Sequence, residues 1–419
     1  MKIRINKSEL NGRISVPPSK SYTIRSLMCA ALAKGKSRII NPLISDDTEA
    51  ASEALGKVGI KIEKGDGCWE LTGGRFHAPE GDIFCRDSAA TIRFMTALSA
   101  IIPGKCRLVP GPSLARRPIE PLVTALNKLK IKCHLEDSTV VIDGGKFWGG
   151  TVSMSGDVSS QFVSALLFLC PLAEAGLNIR LTTPPESGPY IEMTIGCMKE
   201  FGVDIIASPT LQFFTGDFRP YKPTDYTVEG DWSSASYLLA SGAMTGNIEV
   251  TDLNLNSLQG DRIILNLLNK MGASIQTKKE VVTAKRSNLG AIRVDLSDCI
   301  DLLPTMAMAA AIADGQSRFY GVKRARIKES NRVTAIREGL ERMKIAVVEE
   351  EDTLVITGGK PEGATIDSFG DHRIAMAFST LGAAIGNTTI EGAECVSKTY
   401  PQFWKTLESL GGKVEYNVQ

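Results

Sequence analysis

The sequence predicts an α/β protein of two lobes, because one module of helices and strands recurs six times along its 419 residues. Each copy opens with a loop rich in Ser, Asp or Gly, continues into an Ala-rich apolar helix, and then reaches a Gly and a strand-like run. A second helix in every copy closes with a shared phrase whose equivalent apolar positions fall roughly 70 residues apart. Those positions are Val58, Leu129, Phe201, Met271, Met343 and Leu410.

Within one module the patterns run strand, helix, strand, helix and two further strands, which gives a βαβαββ unit. Three modules lie between about residues 15 and 229, and three between about 230 and the end. We therefore expect one lobe of residues 15–229 and a discontinuous lobe of residues 1–14 plus 230–419. The joints fall at NGRISVPP and TVEGDWSS, and two chain crossings would permit hinge closure. We expect the first strand, KIRINKSEL, to join the C-terminal lobe as the opening strand of its last module.

Composition and charge narrow the functional class. The chain is 43% hydrophobic and 23% charged, as expected of a globular protein with a full core. Its net charge of +1 argues against a broad nucleic-acid surface, which needs a clear basic excess. The start of the sequence lacks the apolar segment of a signal peptide, and no run approaches the ~18 apolar residues of a membrane span. We expect a cytoplasmic monomer with neither nucleic acid nor membrane as a partner.

Cysteine and histidine usage predicts no metal and no cofactor. The nine cysteines occur singly, without a C-x-x-C pair, which favours small core residues in a reducing compartment. The three histidines, His77, His134 and His372, show no metal-ligand spacing. The sequence also lacks a P-loop, a G-x-G-x-x-G turn and a G-x-S-x-G nucleophile motif. The chemistry that remains is transfer to or from a polyanionic small molecule, without a metal or a covalent carrier.

The loops that open the Ala-rich helices predict an anion site. A helix N-terminus presents free N–H groups and about half a positive charge to whatever lies in front of it. If the modules pack by pseudo-symmetry, several such ends can converge. The residues carried by these loops are Lys20, Ser21, Arg25, Arg93, Ser159, Ser160, Asp301, Asp371, His372 and Arg373.

The serine motifs also have a simpler interpretation as helix caps. In PPSKSYTIRS, Ser19 or Ser21 could serve only as a cap, although two cations at a helix start are unfavourable unless an anion neutralises them. Ser159 and Ser160 in GDVSSQF could likewise be paired caps, and a related phrase recurs as GDWSS at 230–234.

Two further motifs, RIKESNR and CIDLLPTMAM, leave a similar choice open. RIKESNR is either a solvated helix start or a set of cations for carboxylate and phosphate. Within this motif, Glu329 is either a structural counter-ion or a proton-transfer group. In CIDLLPTMAM, Asp301 is either an N-cap or a second acid-base carboxylate. LARRPIEPL and GDHR supply more cations, at Arg116, Arg117 and Arg373.

Eight motifs resemble, in order and spacing, those of the 5-enolpyruvylshikimate-3-phosphate (EPSP) synthase family, over nearly the whole chain. They are PPSKSYTIR, RPIEPL, SSQF, SGPYIEMT, EGDWSSASY, RIKESNR, GDHRIAM and SKTYPQFW. The resemblance implies an inside-out α/β fold of two lobes, each with three βαβαββ repeats, that closes around its substrates. It also implies transfer of the enolpyruvyl group of phosphoenolpyruvate to the 5-hydroxyl of shikimate 3-phosphate. Phosphate would leave a tetrahedral intermediate, within aromatic amino-acid (chorismate) biosynthesis.

The resemblance implies roles for individual residues. Asp301 would accept the proton of the 5-hydroxyl, while Glu329, with Lys398 nearby, would handle the proton at C3; Lys20 would be the fourth catalytic residue. The expected contacts of shikimate 3-phosphate are Lys20, Ser21, Arg25, Ser159, Ser160, Ser187, Tyr190, Asp301 and Lys328. The expected contacts of phosphoenolpyruvate are Lys20, Ala89, Arg117, Gln161, Arg332, Arg373 and Lys398.

Two positions depart from the family pattern. Arg324 stands where many members have an Asn, and Ala89 in RDSAATIR stands where the family normally has a Gly beside phosphoenolpyruvate. A methyl group there would crowd glyphosate, which resembles phosphoenolpyruvate but is longer, so we expect natural glyphosate tolerance. The alternative is that Ala89 is only a better helix former than Gly. Neighbouring Ala90 also departs from the pattern and could reshape the loop.

Other functions share parts of this pattern. The sister enolpyruvyl transferase that acts on UDP-N-acetylglucosamine has the same repeats, but it usually carries a reactive Cys before the Arg-Pro, where this chain reads GPSLARRP. A non-catalytic, hinge-closing anion-binding protein and an RNA-end-processing relative are two further alternatives. Asp301 and Glu329, both placed among cations, favour proton transfer over simple binding.

Overall fold

The computed structural model describes residues 1–417. The chain divides into two compact units. Unit 1 is made of Met1–Pro17 and the chain from Gly230 onward, and unit 2 is Pro18–Glu229. Among the helices of residues 1–417, none combines the length and the apolar character needed to cross a membrane.

Twelve α-helices and 24 strands account for most of the described residues. The helices are α1 (Lys20–Leu32), α2 (Asp46–Lys57), α3 (Ala89–Leu98), α4 (Glu120–Lys128), α5 (Ser160–Leu169), α6 (Gly188–Glu200), α7 (Trp232–Thr245), α8 (Ile264–Lys270), α9 (Leu303–Ala311), α10 (Arg332–Arg342), α11 (His372–Ile385) and α12 (Phe403–Ser409). The strands are β1 (Lys2–Asn6), β2 (Asn11–Ser15), β3 (Gly35–Ile40), β4 (Lys61–Gly65), β5 (Cys68–Gly73), β6 (Ile83–Phe84), β7 (Gly104–Val109), β8 (Lys132–Glu136), β9 (Thr139–Gly144), β10 (Gly150–Met154), β11 (Leu177–Leu181), β12 (Ile206–Ala207), β13 (Phe213–Gly216), β14 (Asp225–Thr227), β15 (Asn247–Thr251), β16 (Ser274–Lys278), β17 (Val281–Lys285), β18 (Arg293–Asp295), β19 (Gln316–Tyr320), β20 (Ala346–Glu349), β21 (Thr353–Thr357), β22 (Thr365–Asp367), β23 (Thr388–Glu391) and β24 (Lys413–Tyr416).

The strands form six four-stranded sheets within residues 1–417, three in each unit. Unit 2 contains the sheets β14-β3-β5-β4, β6-β7-β9-β8 and β10-β11-β13-β12. Unit 1 contains β2-β15-β17-β16, β18-β19-β21-β20 and β22-β23-β1-β24. In every sheet the edge strand that opens the module runs parallel to its neighbour. The other two pairs of neighbouring strands are antiparallel. The predicted α/β fold of six βαβαββ repeats is confirmed.

Two opening strands come from distant parts of the chain. β14, at the end of unit 2, opens the sheet of the first module in that unit, and β2 opens the sheet that follows α7 in unit 1. The first strand, β1, pairs antiparallel with both β23 and β24. The expectation that it opens the last module is wrong, because the short strand β22 opens it. β1 instead supplies the strand that this module lacks, since only β24 follows α12.

The shared phrase of the six modules is a helix C-cap. Its apolar residue is buried in all six copies and directly follows the last residue of the second helix. The next residue adopts a left-handed conformation with φ between 65° and 100°, which lets the chain leave the helix and enter a strand. These left-handed residues are Gly59, Lys130, Gly202, Gly272, Lys344 and Gly411. The repeat period thus reflects one backbone turn used six times.

The Ala-rich first helices of the modules form the core of each unit. All residues of α7 are buried, and α1 is buried from Tyr22 to Leu32. A helix that is apolar all round must be covered on every side, so these helices pack against one another and against the sheets. Seven of the nine free cysteines are also buried, as expected for small core residues; burial raises the pKa of the Cys85 thiol to about 12.

Candidate active site

The N-terminal ends of three core helices meet in unit 1. Asp371 is the N-cap of α11 and accepts from the backbone N–H of Arg373 at 2.9 Å. Asp301 lies in the 3₁₀ turn Ile300–Leu302 that leads into α9. Arg373 joins these ends to α7, because its guanidinium reaches both Asp301 (3.0 Å) and the hydroxyl of Ser233, the second residue of α7. The convergence expected from the repeats therefore exists within this unit.

Arg332 lies at the centre of this cluster and is 1% exposed. Its guanidinium donates to Asp301 Oδ1 at 2.7 Å, to Glu329 Oε2 at 2.6 Å and to Asp371 Oδ2 at 2.7 Å. Burial alone would lower the pKa of Arg332, but the carboxylates of Asp371, Glu329 and Asp301 raise it above its usual value. The side chain is thus a fixed positive charge that orders three acids.

Asp301 is an ionised carboxylate held by three cations. Besides Arg332, Arg373 donates to its Oδ2 at 3.0 Å, and Lys328 Nζ lies 3.4 Å from Oδ1. Burial would raise the pKa of Asp301, but the charges of Arg373, Lys328 and Arg332 outweigh it and hold that pKa well below its usual range. Asp301 is not the N-cap of the adjoining helix, since Leu302 occupies that position. Of the two interpretations left open, the structure excludes the cap.

Glu329 is the second carboxylate of the cluster. It accepts from Arg332 and lies 3.8 Å from Lys398 Nζ, so each of its oxygens faces a cation. The side chains of Glu329 and Lys398 are about nine-tenths buried. The motif RIKESNR is therefore not a solvated helix start throughout: Asn331 caps α10, whereas Arg332 turns inward.

An acidic hairpin holds the outer part of RIKESNR. The residues EEED at 349–352 form the end of β20 and the turn between β20 and β21. Arg326 pairs with Glu349 and also donates to the backbone carbonyls of Glu350 and Glu351. These contacts fix the segment immediately before Lys328. Arg324, the departure from the family pattern, is buried in the same 3₁₀ helix, Lys323–Ile327.

Behind Arg373 lies Asp261, a buried acid that the sequence analysis did not single out. Its Oδ2 accepts from the hydroxyl of Ser233. Its Oδ1 is buried and has no hydrogen-bond partner within the described residues. Burial raises the pKa of Asp261 to about 7, against the lowering effect of the Arg373 charge. The only hint in the sequence was the recurrent serine pair of GDWSS, which does not point to residue 261.

This raised pKa makes a prediction about stability. A carboxyl whose pKa is higher in the folded state contributes stability below its unfolded pKa, near 3.9, and loses it as the pH rises towards 7. The loss is about 1.4 kcal/mol per pH unit from this one group. Asp261→Asn removes the titration, so the Tm of the variant relative to the wild type should rise between pH 5 and pH 8. Calorimetry at several pH values measures this, and a constant difference would contradict it.

In unit 2, Lys20 begins α1 directly after its cap. Ser19, not Ser21, is the N-cap and accepts from the backbone N–H of Tyr22 at 3.4 Å. Ser21 lies inside the first turn and is half-buried. Lys20 Nζ pairs with Asp47 Oδ2 at 3.0 Å, and the Asp47 side chain is only 5% exposed. Asp47 was also missed from the sequence, because nothing local connects it with α1.

Arg25 is locked beneath the same helix start. It donates to Thr194 Oγ1 at 2.8 Å and to the backbone carbonyls of Ser21 and Tyr190 at 3.0 and 3.1 Å. The guanidinium also lies over the rings of Phe94 and Tyr190, 5.4 and 5.8 Å from their centroids. A guanidinium carries five N–H donors, so these three bonds leave donors for a further acceptor.

The starts of α3 and α5 are joined by Arg93. It donates to Gln161 Oε1 at 2.8 Å and to Ser159 Oγ at 3.3 Å. Ser159 is the N-cap of α5 and Ser160 is its first residue, so only one of the paired serines is a cap. Ser187, the N-cap of α6, is buried and left-handed (φ 55°). Such a backbone costs about 1–3 kcal/mol in a non-glycine residue, so the surrounding structure must hold Ser187 in place.

The unusual sequence RDSAATIR forms the start of α3. Ser88 is the N-cap and Ala89 is the first helical residue, 5% exposed. Asp87 Oδ1 accepts from the backbone N–H of Leu114 at 2.9 Å, which ties this start to the loop that carries Arg117. Among residues 1–417 we find no group of three or more His, Cys, Asp or Glu side chains placed to hold a metal ion.

The structure connects the expected residues of unit 1 and gives separate contacts for some of those in unit 2. In unit 1, Asp301, Lys328, Glu329, Arg332, Arg373 and Lys398 form one connected network. In unit 2, contacts link Lys20 with Asp47, Arg25 with Tyr190, and Arg93 with Ser159 and Gln161. Most of these residues lie at or just before helix starts, whereas Lys398 is the last residue of the 3₁₀ helix Ala393–Lys398.

Comparison with known proteins gives a consistent result. The family model for EPSP synthase (3-phosphoshikimate 1-carboxyvinyltransferase) matches residues 5–407. A 3-phosphoshikimate 1-carboxyvinyltransferase of Dehalococcoides mccartyi is 50% identical over 420 residues, covering 100% of both chains. One from Methanocaldococcus jannaschii is 38% identical over 97% of each chain.

Solved structures of enolpyruvyl transferases have the same fold as this chain. EPSP synthase from Acinetobacter baumannii superposes with a TM-score of 0.83 at 25% identity, over 99% of both chains. The enolpyruvyl transferase NikO from Streptomyces tendae, at 18% identity, shares the fold with a TM-score of 0.79 over 99% of this chain and 98% of that one. From the family match and the full-length relatives we conclude that this chain belongs to the EPSP synthase family.

Proposed function

We propose that this protein transfers the enolpyruvyl group of phosphoenolpyruvate to the 5-hydroxyl of shikimate 3-phosphate and releases phosphate. Membership of the family supports this reaction. The observation that carries it is the ionised Asp301 held against Arg332, Arg373 and Lys328. Such a group can accept a proton while the cations around it stabilise anionic substrates and a charged intermediate.

Substrate contacts follow from the two sets of residues. Shikimate 3-phosphate is bound by Lys20, Ser21, Arg25, Ser159, Ser160, Ser187, Tyr190, Asp301 and Lys328. Phosphoenolpyruvate is bound by Lys20, Arg117, Gln161, Arg332, Arg373 and Lys398, with Ala89 beside it. The helix starts of unit 2 support the phosphate assignment, since backbone N–H groups and adjacent cations favour phosphate there.

The proposed mechanism uses Asp301 and Glu329 in succession. The oxygen of the 5-hydroxyl attacks C2 of the enolpyruvyl group, and its proton passes to Asp301. Glu329, with Lys398, delivers the proton that C3 gains. In the second step Glu329 takes a proton back from C3, the double bond between C2 and C3 forms again, and the C2–O bond to phosphate breaks with its electron pair going to the leaving phosphate. Bound anionic substrates also interact with the cations that hold Asp301. This weakens the hold of those cations on Asp301 and raises its pKa while the substrates are bound, so that it can accept the proton.

A phosphate-release assay tests the function directly. The protein is mixed with shikimate 3-phosphate and phosphoenolpyruvate, released phosphate is measured, and the carboxyvinyl product is identified by mass spectrometry. Omitting shikimate 3-phosphate should abolish release. Phosphate release with UDP-N-acetylglucosamine in place of shikimate 3-phosphate would indicate the sister transferase. Tight binding of both substrates without turnover would indicate a binding protein instead.

The proposal includes the assembly and organisation of the protein. It folds as one lobe of residues 15–229 and one of residues 1–14 plus 230–419, and it works as a monomer in the cytoplasm. Light scattering of the purified protein, at the concentrations used in the activity assay, measures the mass that tests the monomer.

Ala89 gives a prediction about inhibition by glyphosate. Because the methyl group adds bulk beside phosphoenolpyruvate, the wild type should be tolerant, and Ala89→Gly should bind glyphosate more tightly. One methyl group against a packed ligand is worth roughly 1–3 kcal/mol, or about 5- to 150-fold in the inhibition constant. Ala90→Gly is the control, since it also places a glycine in the first turn of α3. If glyphosate inhibits Ala89→Gly and the wild type equally, the only effect of Ala89 is to favour the helix.

A further inference from the structure

A two-residue relay lies behind the Arg373 guanidinium, outside the substrate contacts assigned above. Arg373 Nη2 donates to Ser233 Oγ at 3.3 Å, and the Ser233 hydroxyl in turn donates to Asp261 Oδ2. The same Nη2 donates to Asp301 Oδ2 at 3.0 Å. Asp261 is 2% exposed and Ser233 is 8% exposed, so the relay is shielded from solvent.

The segment that carries Asp261 is fastened to the start of α7. Gln259 accepts from the backbone N–H of Trp232 at 3.0 Å and donates to the carbonyl of Gly230 at 2.8 Å. Asp231, the N-cap of α7, accepts from the N–H of Ser234 at 2.6 Å. The segment and the helix start therefore form one rigid support for the Ser233 hydroxyl.

We propose that Asp261 is a positioning residue for the transfer reaction, which acts through Ser233 to hold Arg373 in the orientation that contacts Asp301 and phosphoenolpyruvate. The inference depends on the proposed function, since it needs Arg373 to bind phosphoenolpyruvate.

The reason lies in the geometry of a hydroxyl group. Serine can rotate its single proton towards any nearby acceptor, and a proton turned towards a guanidinium would repel it. Asp261 accepts the hydrogen bond of the Ser233 hydroxyl, so a lone pair of Ser233 Oγ faces Arg373 instead. A buried acid with one oxygen that has no partner among residues 1–417 is costly to keep. A positioning role accounts for its presence next to a catalytic cluster.

The test compares Asp261→Ala, Ser233→Ala and the double variant in steady-state kinetics. Misplacement of a binding group costs on the order of 10- to 100-fold, so each single variant should lower kcat/KM for phosphoenolpyruvate by that factor. The dissociation constant of shikimate 3-phosphate should change less than about threefold. The double variant should be no worse than the poorer single variant, because the two residues act as one unit. Asp261→Asn still offers Ser233 an acceptor oxygen and should recover most of the loss.

Ser241→Ala is the matched control. Ser241 is also a fully buried serine of α7, and its hydroxyl has no hydrogen-bond partner in the described part of the chain. Its removal should leave both kinetic constants unchanged.

Four results would overturn the inference, provided that the wild type is active. They are Asp261→Ala within twofold of wild type, additive losses in the double variant, an Asn variant as poor as Ala, or an equal loss in the Ser241 control. If the wild type itself releases no phosphate, it is the proposed function that fails.

Discussion

Replacing Asp301 with Asn should lower kcat by about 10²- to 10⁴-fold, the usual contribution of a general acid-base group. The amide keeps the size of the side chain and can still accept from Arg332, but it cannot take up a proton. Shikimate 3-phosphate should still bind, since most of its proposed contacts lie in unit 2. Glu329→Gln should show a loss of the same order, through the proton at C3. Steady-state assays with calorimetric binding measure both effects.

Two variants serve as controls for these changes. Asp314→Asn alters an exposed acid just beyond the other end of α9, and Glu338→Gln alters an acid on the outer face of α10. Both should keep wild-type kcat. Near-normal turnover of Asp301→Asn and Glu329→Gln would show that the two carboxylates are only counter-ions for Arg332.

Lys20→Met should reduce kcat/KM by about 30- to 4,000-fold. Lys20 is proposed to contact both substrates, and loss of one partner of a buried charged pair costs about 2–5 kcal/mol, with each 1.4 kcal/mol equal to tenfold. The same change leaves the buried Asp47 without its cation, so a lower Tm should accompany the kinetic loss. Activity and thermal unfolding are therefore measured together.

Lys34→Met is the control for Lys20, because it makes the same change at an exposed position beyond the other end of α1. It should affect neither activity nor Tm. If Lys20→Met lowers Tm while kcat/KM stays within tenfold of wild type, Lys20 is a structural partner of Asp47 rather than a substrate ligand.

Features that depend on a local sequence pattern, such as the repeats and their turns, could be predicted from the sequence. Contacts between distant segments could not. Six repeats are visible because the same buried apolar residue and left-handed turn recur, as at Val58 and Gly59. The choice of Ser19 over Ser21 as the cap depends on one turn of backbone, which composition does not decide. Asp261 was missed because its role comes from contact with Ser233, 28 residues away.

Strand pairing shows the same limit. A strand pattern indicates that KIRINKSEL is extended, but not which edge it joins, because pairing is decided by the sheet that lacks a strand. Counting modules led to the wrong position for β1, since the three-residue strand β22 is too short to leave a pattern.

The position of β1 has a consequence for synthesis on the ribosome. The side chain of Asn6 bonds to Glu415, 409 residues later. At ~5–20 residues per second, β1 waits on the order of 20–80 seconds for the strands that flank it. Unit 2 is one continuous segment whose ends are joined by a hydrogen bond from Ser19 to Glu229 at 2.8 Å, so it can fold during that interval.

Ile3 and Ile5 are fully buried in the finished sheet, so we expect them to lack these partners during this interval. Lys2 and Arg4 alternate with them along the strand. Charges of one sign on an unpaired strand oppose its pairing with another nascent chain. We therefore expect the alternation that completes the last sheet also to disfavour aggregation of β1 until its partner strands emerge.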